Sequence, residues 1–410
     1  MPKKYKIVDL FAGCGGLEDG FLQTGRYEDV AAIEWLKPQV NTLIKRLETK
    51  WKIDDAKDRV MHFDIQREDE LFNGWNDEEF GTGKGLDYFV KKANGIDVII
   101  GGPPCQAYSV AGRVRDENGM KDDYRNYLFE HYCHIVDRYK PKMFVFENVP
   151  GLLSAIPDGT PITDLIRAGF DNIGYDIVDD LKKYAKVDAS EYGVPQSRNR
   201  MIIVGIKRGV VNNPQDFLHS FYEEILPKYK EKGKTVFEAI GDMPIIIPSF
   251  DEADHKKKKV FSTPKCDYTW HESRYHSLRD MEIFKLLAED IESGRCEYTN
   301  SKALSQLYEE RVGSKSSIHR YHVLKKDEPS TTIIAHLHKD GNRFIHYDSK
   351  QCRSITPREA ARLQSFDDDF DFVGSRGNAY QMIGNAVPPQ LAKRVAFALA
   401  DLLDELEVEK

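Results

Sequence analysis

The sequence predicts an α/β fold built on a parallel sheet, and two observations support this expectation. Through the first 206 residues, short apolar runs alternate with amphipathic segments, as strands alternate with crossover helices in such folds. The run of Val98, Ile99 and Ile100 is apolar without interruption, which is typical of a strand buried on both faces. With 410 residues and 40% hydrophobic content, the chain is long enough for two or three domains.

Each element of this first part follows from its local pattern. The predicted strands are 5–11, 30–34, 60–65, 98–100, 144–146 and 201–206. Helices are predicted at 37–51 and at 124–139, and the second ends before Pro141, which cannot extend a helix. Residues 77–95 have the composition of a polar insertion, for which we predict no role.

Between residues 207 and 325 the regular pattern fades, and five prolines separate short segments. We therefore predict a separate, loop-rich domain there. The formal net charge of −8 is unevenly spread, because residues 207–350 carry 24 lysines and arginines against 23 aspartates and glutamates. Local positive patches bind phosphates, so the overall charge does not exclude DNA. The lysine run 256–259 either touches phosphate or, as charge runs more often do, lies in solvent.

Residues 326–410 contain three predicted elements. Segments 330–335 and 343–347 are predicted to pair as a short hairpin. Thr356-Pro-Arg-Glu359 predicts the start of a helix, with proline at its first position and an acidic residue in its first turn. A last helix is predicted to begin at Pro388 and Pro389 and to run to about residue 406.

Composition also indicates the class of protein. No apolar run approaches the roughly eighteen residues of a membrane span, and the amino terminus leads into a strand rather than a signal peptide. The six cysteines form no Cys-x-x-Cys pair and no spacing with histidine that is typical of zinc. We expect a cytoplasmic protein with free thiols, no metal and no membrane contact.

One cysteine stands where such folds bind ligands. Gly101, Gly102, Pro103 and Pro104 end a strand abruptly, so Cys105 is expected on a stiff turn at the carboxyl end of that strand. Open α/β sheets bind their ligands at the carboxyl ends of strands. Cys105 is therefore a candidate nucleophile, although most free cysteines are small buried core thiols.

The first strand runs into a glycine-rich loop, Asp9-Leu-Phe-Ala-Gly-Cys-Gly-Gly16, and a helix is predicted to begin near Leu17. Gly13, Gly15 and Gly16 let the backbone approach a ligand closely. By itself this loop fits a dinucleotide site or a tight turn equally well. The third glycine of Gly-x-Gly-x-x-Gly is missing, which disfavours a nicotinamide cofactor and favours S-adenosylmethionine, which has no pyrophosphate.

Carboxylates close the next two strands. Glu34 is placed to accept hydrogen bonds from both hydroxyls of a ribose, and the indole of Trp35 to cover a purine face. Asp64 is predicted to lie within reach of an adenine amino group. Taken singly, each carboxylate is more often a helix cap or a surface charge.

Further residues suit chemistry on a cytosine ring. C5 of cytosine is too weak a nucleophile to take a methyl group directly, so the Cys105 thiolate would first add to C6. The site must therefore favour the ionised thiol. Glu147 is placed to hydrogen-bond N3 and the exocyclic amine, or alternatively to pair with an arginine. Arg198 and Arg200 share one face of an extended segment, where one would donate to O2 and the other orient the thiol turn, unless both are surface charges.

A base inside a duplex is beyond the reach of a buried thiol, so the enzyme would flip it out and close over it. Residues 107–123 have the composition of a lid, with glycines and arginines and few large apolar residues. A solvated loop is the alternative interpretation of this segment.

Six motifs, in this order, resemble those of DNA cytosine-5 methyltransferases of bacterial restriction-modification systems. They are Phe11-Ala-Gly-Cys-Gly-Gly16, Gly102-Pro-Pro-Cys-Gln106, Glu147-Asn-Val149, Gln196-Ser-Arg-Asn-Arg200, Arg358-Glu-Ala-Ala-Arg-Leu-Gln364 and Gly384-Asn-Ala-Val-Pro-Pro389. The resemblance implies a Rossmann-like S-adenosylmethionine-dependent methyltransferase catalytic domain over 1–206 and a smaller, loop-rich target-recognition domain over 207–325. Residues 326–410 would return to complete the catalytic domain.

The resemblance also implies roles for single residues. Phe11 would stack on the adenine, with Asp64 and Ile65 also touching it, and Glu34 would hold the ribose. Cys105 would be the nucleophile, Glu147 the partner of N3 and Arg200 the donor to O2. The other positions implied around the cofactor are Pro104, Leu128, Asn385 and Val387. The Arg358 motif would brace the two domains, and the last helix would pack beside the first strand.

The expected activity is sequence-specific methylation of cytosine C5 in double-stranded DNA by a monomer, partnered in function, not in a stable complex, by a restriction endonuclease. Transfer RNA is an alternative substrate, which the long variable region disfavours. A DNA-binding regulator with an inactive fold is disfavoured by the intact Cys105 and Glu147. A nicotinamide dehydrogenase is the most distant alternative.

Overall fold

The structure is a computed structural model that describes residues 3–104, 128–156, 159–313, 321–339 and 341–408. The chain divides into two compact units. Unit 1 comprises Met1–Gly193, Arg198–Lys232 and Ala386–Lys410, and unit 2 comprises Val194–Ser197 and Gly233–Asn385. Their bounds differ from those of the predicted segments, since 207–232 packs within unit 1 and 326–385 within unit 2. The assignment of catalytic and target-recognition roles stays a prediction.

Unit 1 is built on a central sheet. Its strands are β1 (Tyr5–Leu10), β2 (Tyr27–Glu34), β3 (Val60–His62), β4 (Trp75–Asp77), β5 (Gly81–Gly83), β6 (Val98–Gly101), β7 (Met143–Asn148), β8 (Tyr175–Ile177), β9 (Lys186–Asp188) and β10 (Asn199–Lys207). Eight of them form one sheet in the order β3-β2-β1-β6-β7-β10-β8, with β9 paired to β10. All six predicted strands are present, within a few residues of their predicted ends.

The prediction of a parallel sheet is only partly right. β3, β2, β1, β6 and β7 are parallel, but β10 runs antiparallel to β7, β8 and β9. An apolar run shows that a strand is buried but not its direction, which depends on how the preceding connection crosses the sheet. β8 and β9 were not predicted, and each has only three residues.

Helices cover this sheet, and the last helix returns to its beginning. The helices of unit 1 are Gly16–Leu22, Lys37–Thr49, Ala56–Arg59, Glu68–Asn73, Leu86–Lys92, Leu128–Tyr139, Ile162–Asn172, Leu181–Tyr184, Pro214–Ser220, Leu226–Lys228 and Pro389–Val408. A Cβ on Gly20 would lie 2.4 Å from the Ala392 Cβ, so the first and last helices touch through their backbones. The Tyr5 hydroxyl donates to Asp404 Oδ1 at 2.6 Å, which confirms that the last helix packs beside the first strand.

The insertion 77–95 contains regular structure. β4 and β5 pair as a two-stranded antiparallel hairpin, with Trp75 opposite Gly83. The helix Leu86–Lys92 follows and buries Leu86 and Phe89. The polar composition of this segment therefore reflects its exposed face, while its few apolar residues hold it to unit 1.

Unit 2 has little sheet. Its helices are Val236–Ile240, Glu252–Lys256, Leu278–Glu292, Ser301–Val312, Pro357–Leu363 and Arg376–Asn385, with one short strand pair, β11 (Ile247–Pro248) and β12 (Phe261–Ser262). Phe284, Leu287 and Ile345 lie in one of its apolar clusters. Among the described residues of the whole chain, no helix is long and apolar enough to cross a bilayer.

The predicted hairpin of 330–335 with 343–347 is wrong. Short 3-10 helices form instead, at Ala335–His338 and Gly341–Arg343. The backbone groups that a hairpin would pair have other partners, since Ser197 N donates to Ser330 O at 2.8 Å and Ile345 bridges to Val323 and Ser354.

The predicted helix start at Thr356 is confirmed. Thr356 caps the helix Pro357–Leu363 through a reciprocal capping box with Glu359. Arg358 is fully buried and donates to Thr269 O at 3.0 Å and to Phe370 O at 2.8 Å. Arg358 thus joins the predicted segments 207–325 and 326–410, but these partners all lie within unit 2.

Candidate active site

The carboxyl ends of neighbouring parallel strands form one edge of the sheet in unit 1. β1 lies between β2 and β6, with Leu10 opposite both Ile33 and Gly101. Because β10 is antiparallel, its amino-terminal end reaches this same edge, where Ile202 pairs with Glu147. Predicted residues that the structure describes therefore lie along one edge. They stand at the ends of β2 and β7, after β1, β3 and β6, and at the start of β10.

The loop after β1 turns through unusual backbone angles. Phe11, Gly13 and Gly15 have φ values of 61°, 59° and 88°. Glycine adopts such angles freely, whereas phenylalanine does so at a cost of about 1 kcal/mol or more, a strain that tends to persist at ligand sites. A Cβ on Gly15 would lie 2.5 Å from Leu43 Cδ1, so a larger residue does not fit there. The helix that begins at Gly16 buries Leu17 directly after this loop.

The Glu34 carboxylate is held by the backbone around it. Gly13 N donates to Oε2 and Leu36 N donates to Oε1, each at 2.8 Å. A third backbone N–H, that of Trp35, also acts on this carboxylate. A carboxylate has about four acceptor positions, so these donors orient the group without filling it. Burial raises the pKa of Glu34, while the backbone N–H donors act in the opposite direction.

The next strand end continues this surface. Phe63 N donates to Glu34 O at 3.2 Å, which places Asp64 and Ile65 directly beside the end of β2. Asp64 Oδ1 accepts hydrogen bonds from the backbone N and the Nε2 of Gln66, at 3.0 and 3.2 Å. Trp35 is 45% exposed, so its indole presents surface to a ligand. Leu128 is buried at the start of the described part of its helix.

The turn after β6 packs tightly against the end of β7. A Cβ on Gly102 would lie 2.6 Å from Glu147 Oε2, so only glycine lets this turn approach the carboxylate. Asn148 is buried, and its Nδ2 donates to Pro103 O at 3.1 Å. Pro104 is exposed and is the last described residue before the break at 105–127. These contacts fix the path of the chain immediately before Cys105.

Glu147 and Arg200 form an ion pair. Arg200 Nε lies 2.8 Å from Glu147 Oε1, and their side chains are 10% and 12% exposed. Burial raises the pKa of the Glu147 carboxyl, whereas the charges of Arg200 and Arg198 act to lower it. Burial also disfavours the charged form of Arg200, and it therefore lowers the pKa of this residue. The ion pair was one of the two roles expected for Glu147.

Arg198 lies deeper than Arg200. It is 1% exposed, and its Nη2 donates to Ala386 O at 3.1 Å. Its charge acts on Glu147 and on Arg200, so the three groups form one electrostatic cluster. Both arginines are therefore buried and are not surface charges.

For several predicted residues the structure gives no evidence of a place in this arrangement. Cys105 and the predicted lid 107–123 lie outside the described residues. Val387 belongs to unit 1 and is 8% exposed, while Asn385 ends a helix of unit 2. The roles of these residues stay predictions.

Sequence reasoning missed the contributions of Gly102 and Asn148. Asn148 occurs in the Glu147-Asn-Val149 motif, but nothing in the pattern showed that its amide would hold the backbone of Pro103. The double glycine before Pro103 was the available signal for a close approach, which the structure assigns to Glu147.

A sheet of this topology, with a glycine-rich loop and polar side chains along one carboxyl edge, has the architecture of a Rossmann-like methyltransferase. The family description of C-5 cytosine-specific DNA methylases matches residues 5–401. The chain belongs to this family and is a DNA (cytosine-5-)-methyltransferase.

Individual relatives agree with this assignment. The chain is 35% identical to the type II methyltransferase M.Bpa9945I of Bacillus paralicheniformis over 331 residues, which cover 76% of this chain and 72% of that protein. It is 28% identical to the DNA (cytosine-5-)-methyltransferase M.ApeKI of Aeropyrum pernix, over 98% of this chain and 99% of that protein. The crystal structure of the S. pombe Dnmt2 methyltransferase superposes with a TM-score of 0.55 at 14% identity, over 98% of this chain and 99% of the other, and shows the shared fold.

Proposed function

We propose that this enzyme transfers the methyl group of S-adenosylmethionine to C5 of a flipped-out cytosine, at a specific sequence in double-stranded DNA, through a covalent bond between Cys105 and C6. The buried Glu147–Arg200 pair, beside the turn that leads into Cys105, is the observation that carries the proposal. It supplies a carboxyl for N3 and a cation for O2 at the point where the sequence presents a thiol.

In this mechanism the Cys105 thiolate forms a bond to C6, and the ring electrons shift toward N3. Without substrate the Glu147 carboxylate pairs with Arg200. As negative charge develops toward N3, Glu147 would take up a proton and hydrogen-bond N3, and burial, which raises its pKa, assists this step. Arg200 donates to O2 while Arg198 holds the backbone at Ala386. After methylation of C5, loss of the C5 proton to a base breaks the bond between sulfur and C6 and restores the ring.

The residues around the glycine loop fit S-adenosylmethionine, which supplies the methyl group when bound. The backbone-oriented Glu34 carboxylate keeps acceptor capacity for the ribose, and the partly exposed Phe11 offers a ring for the adenine. Asp64 and Ile65 lie beside Glu34, on the side where the adenine amino group would be bound. No pyrophosphate-binding glycine follows Gly16 at the required spacing.

The buried cysteines that the structure describes are poor competitors for the role of nucleophile. Burial raises the pKa of the Cys14 thiol to about 12 and that of Cys352 to about 11. Burial raises the pKa of Cys133 as well. A thiol that stays protonated at neutral pH does not attack C6. Cys105 therefore remains the proposed nucleophile.

We also propose that the chain is the modification enzyme of a restriction-modification system, because several similar proteins are named type II methyltransferases. Residues of 207–325 would then read the bases, each good bidentate contact contributing about 1–3 kcal/mol of discrimination. Bisulfite sequencing of DNA from cells that express the chain would give the methylated sequence.

Trapping with 5-fluorocytosine tests the covalent step. Duplex DNA that carries this base at the methylated position should form a denaturation-resistant adduct in the presence of S-adenosylmethionine, and Cys105→Ser should abolish it. Cys296→Ser, which changes an exposed cysteine, is the matched control and should leave the adduct intact. An adduct of equal yield with Cys105→Ser would contradict the mechanism.

The substrate is tested by transfer of a labelled methyl group from S-adenosylmethionine to DNA and to transfer RNA. More label in transfer RNA than in DNA would contradict the proposed substrate.

A further inference from the structure

Two histidines and a glutamate, none of them among the residues assigned above, converge on the surface of unit 1. His131 Nδ1 and His134 Nδ1 lie 2.5 and 2.9 Å from the same carboxylate oxygen, Glu68 Oε1. All three candidate ligand atoms lie within 4.8 Å of one another. The side chain of His131 is 19% exposed, that of His134 is 58% exposed and that of Glu68 is 24% exposed, so solvent reaches the group.

The spacing of these residues on their helices explains the convergence. His131 and His134 are three residues apart on the helix Leu128–Tyr139, so they share one face. Glu68 is the first residue of the helix Glu68–Asn73. Among the described residues, its carboxylate makes no ion pair with a lysine or an arginine, so the two imidazoles are its charged or polar partners.

The two helices are held together independently of this cluster. One turn farther along, the Arg138 guanidinium lies 4.2 Å above the Phe72 ring. The Tyr139 ring meets the Phe72 ring edge-on, with the two ring centroids 6.0 Å apart. These contacts fix the facing surfaces, so Glu68 and the two histidines are presented to each other before any ligand arrives.

We propose that Glu68, His131 and His134 form a binding site for a divalent transition metal of the zinc type. Imidazole nitrogen and carboxylate oxygen are ligands that zinc prefers, and two histidines with one glutamate form a known three-ligand set that leaves a position for water. Tetrahedral zinc would hold its ligand atoms about 3.3 Å apart, from metal–ligand distances of about 2.0–2.1 Å. The present separations are 2.5 and 2.9 Å from the histidine nitrogens to Glu68 Oε1, and at most 4.8 Å within the group, so small rotations of these side chains would bring the ligand atoms to that spacing.

Such an ion would replace two hydrogen bonds that compete for one oxygen. Both imidazoles must carry a proton on Nδ1 to donate to Glu68 Oε1, whereas a cation binds both unprotonated nitrogens and the carboxylate together. The site would join the helix that follows residues 105–127 to the helix that follows Asp64 and Ile65. The expectation of no metal rested on cysteine spacing and did not consider residues distant in sequence.

The test is a zinc titration of the full-length, chelator-stripped protein in competition with a chromophoric chelator. We expect one equivalent to bind, and His134→Ala or Glu68→Gln to weaken this binding by at least about tenfold. His219→Ala is the matched control, because His219 pairs with a carboxylate, Asp179, at 2.9 Å without a second histidine, and it should leave the affinity unchanged.

Cobalt(II) provides a second readout that does not depend on activity. The bound ion should show visible bands of four- or five-coordinate cobalt without intense thiolate charge-transfer absorption, and the bands should disappear in His134→Ala. Circular dichroism checks that each variant is folded. Absence of one-equivalent binding, an unchanged affinity in both Glu68→Gln and His134→Ala, or thiolate bands would each overturn the proposal.

Discussion

The buried Arg200–Glu147 pair should couple far more strongly than an exposed pair of the same length. The comparison is with Lys230 and Glu191, which lie 2.7 Å apart in the same unit, with side chains 49% and 53% exposed. The Arg200–Glu147 distance is 2.8 Å, but these side chains are only 10% and 12% exposed. Distance is thus nearly constant between the two pairs, and burial is the variable.

The expected magnitude follows from the surroundings. For charge centres about 4 Å apart, Coulomb's law gives about 4 kcal/mol at an effective dielectric constant of about 20, and about 1 kcal/mol in water. Removing one partner of a buried pair also leaves the other charge desolvated, which typically costs about 3–5 kcal/mol. We therefore expect a coupling free energy of about 2–4 kcal/mol for Arg200 with Glu147, and below about 1 kcal/mol for the exposed pair.

Two double-mutant cycles measure these couplings. One uses Arg200→Gln and Glu147→Gln, the other Lys230→Gln and Glu191→Gln, each with its double variant. The free energy of unfolding is taken from urea titrations at pH 7.5. Agreement of the two coupling energies within about 0.5 kcal/mol would show that burial does not strengthen the Arg200–Glu147 pair, contrary to this prediction.

Two further predictions concern packing and pH. Gly102→Ala should lower both methyl transfer and stability, by about 1–3 kcal/mol in the free energy of unfolding, because its Cβ would lie 2.6 Å from Glu147 Oε2. Gly377→Ala, where the nearest atom is 3.5 Å away, is the control and should be neutral or slightly stabilising; equal effects of the two changes would contradict the packing argument. Burial lowers the pKa of His276 to about 3, so its contribution to stability is full above about pH 6.5 and is lost as the pH falls toward 3. Between pH 7.5 and 5.5 this loss is on the order of 1 kcal/mol, and the pH dependence of the free energy of unfolding should shrink by a similar amount in His276→Gln. An unchanged pH dependence would count against a neutral buried imidazole.

Much of the site was predictable because it depends on local order along the chain. A strand followed by a glycine loop places Gly13 and Gly15 at a carboxyl edge, whatever the rest of the fold does. The acidic residue at the end of β2 is likewise fixed by strand and turn signals. The structure adds that Gly13 N and Leu36 N hold the Glu34 carboxylate, a detail that needs three-dimensional coordinates.

The direction of β10 shows what local patterns leave open. A parallel β10 would have carried Arg198 and Arg200, which stand at its amino-terminal end, to the edge opposite Glu147. The antiparallel register, with Ile202 opposite Glu147, is what allows the ion pair. The prediction that these residues meet was therefore right about the site while the predicted sheet type was wrong for this strand.

The predicted hairpin failed for a related reason. Segments 330–335 and 343–347 have suitable sequences, but strand pairing is a competition between partners distant in the chain. Ser330 pairs with the segment around Ser197, and Gly384 packs so closely against residues 334 and 335 that its Cβ would lie 2.3 Å from Ala335 N. No local signal reports either partner.

Residue type and spacing along the chain were enough to predict the family, the order of the motifs and the strand ends that carry them. The direction of β10, the burial of Arg198 and Arg200, and the contact of Glu68 with His131 and His134 became evident only in the folded protein. Those features depend on contacts between residues far apart in the chain. The residues that pack around a buried charge set both the cost of removing it from water and the gain from pairing it.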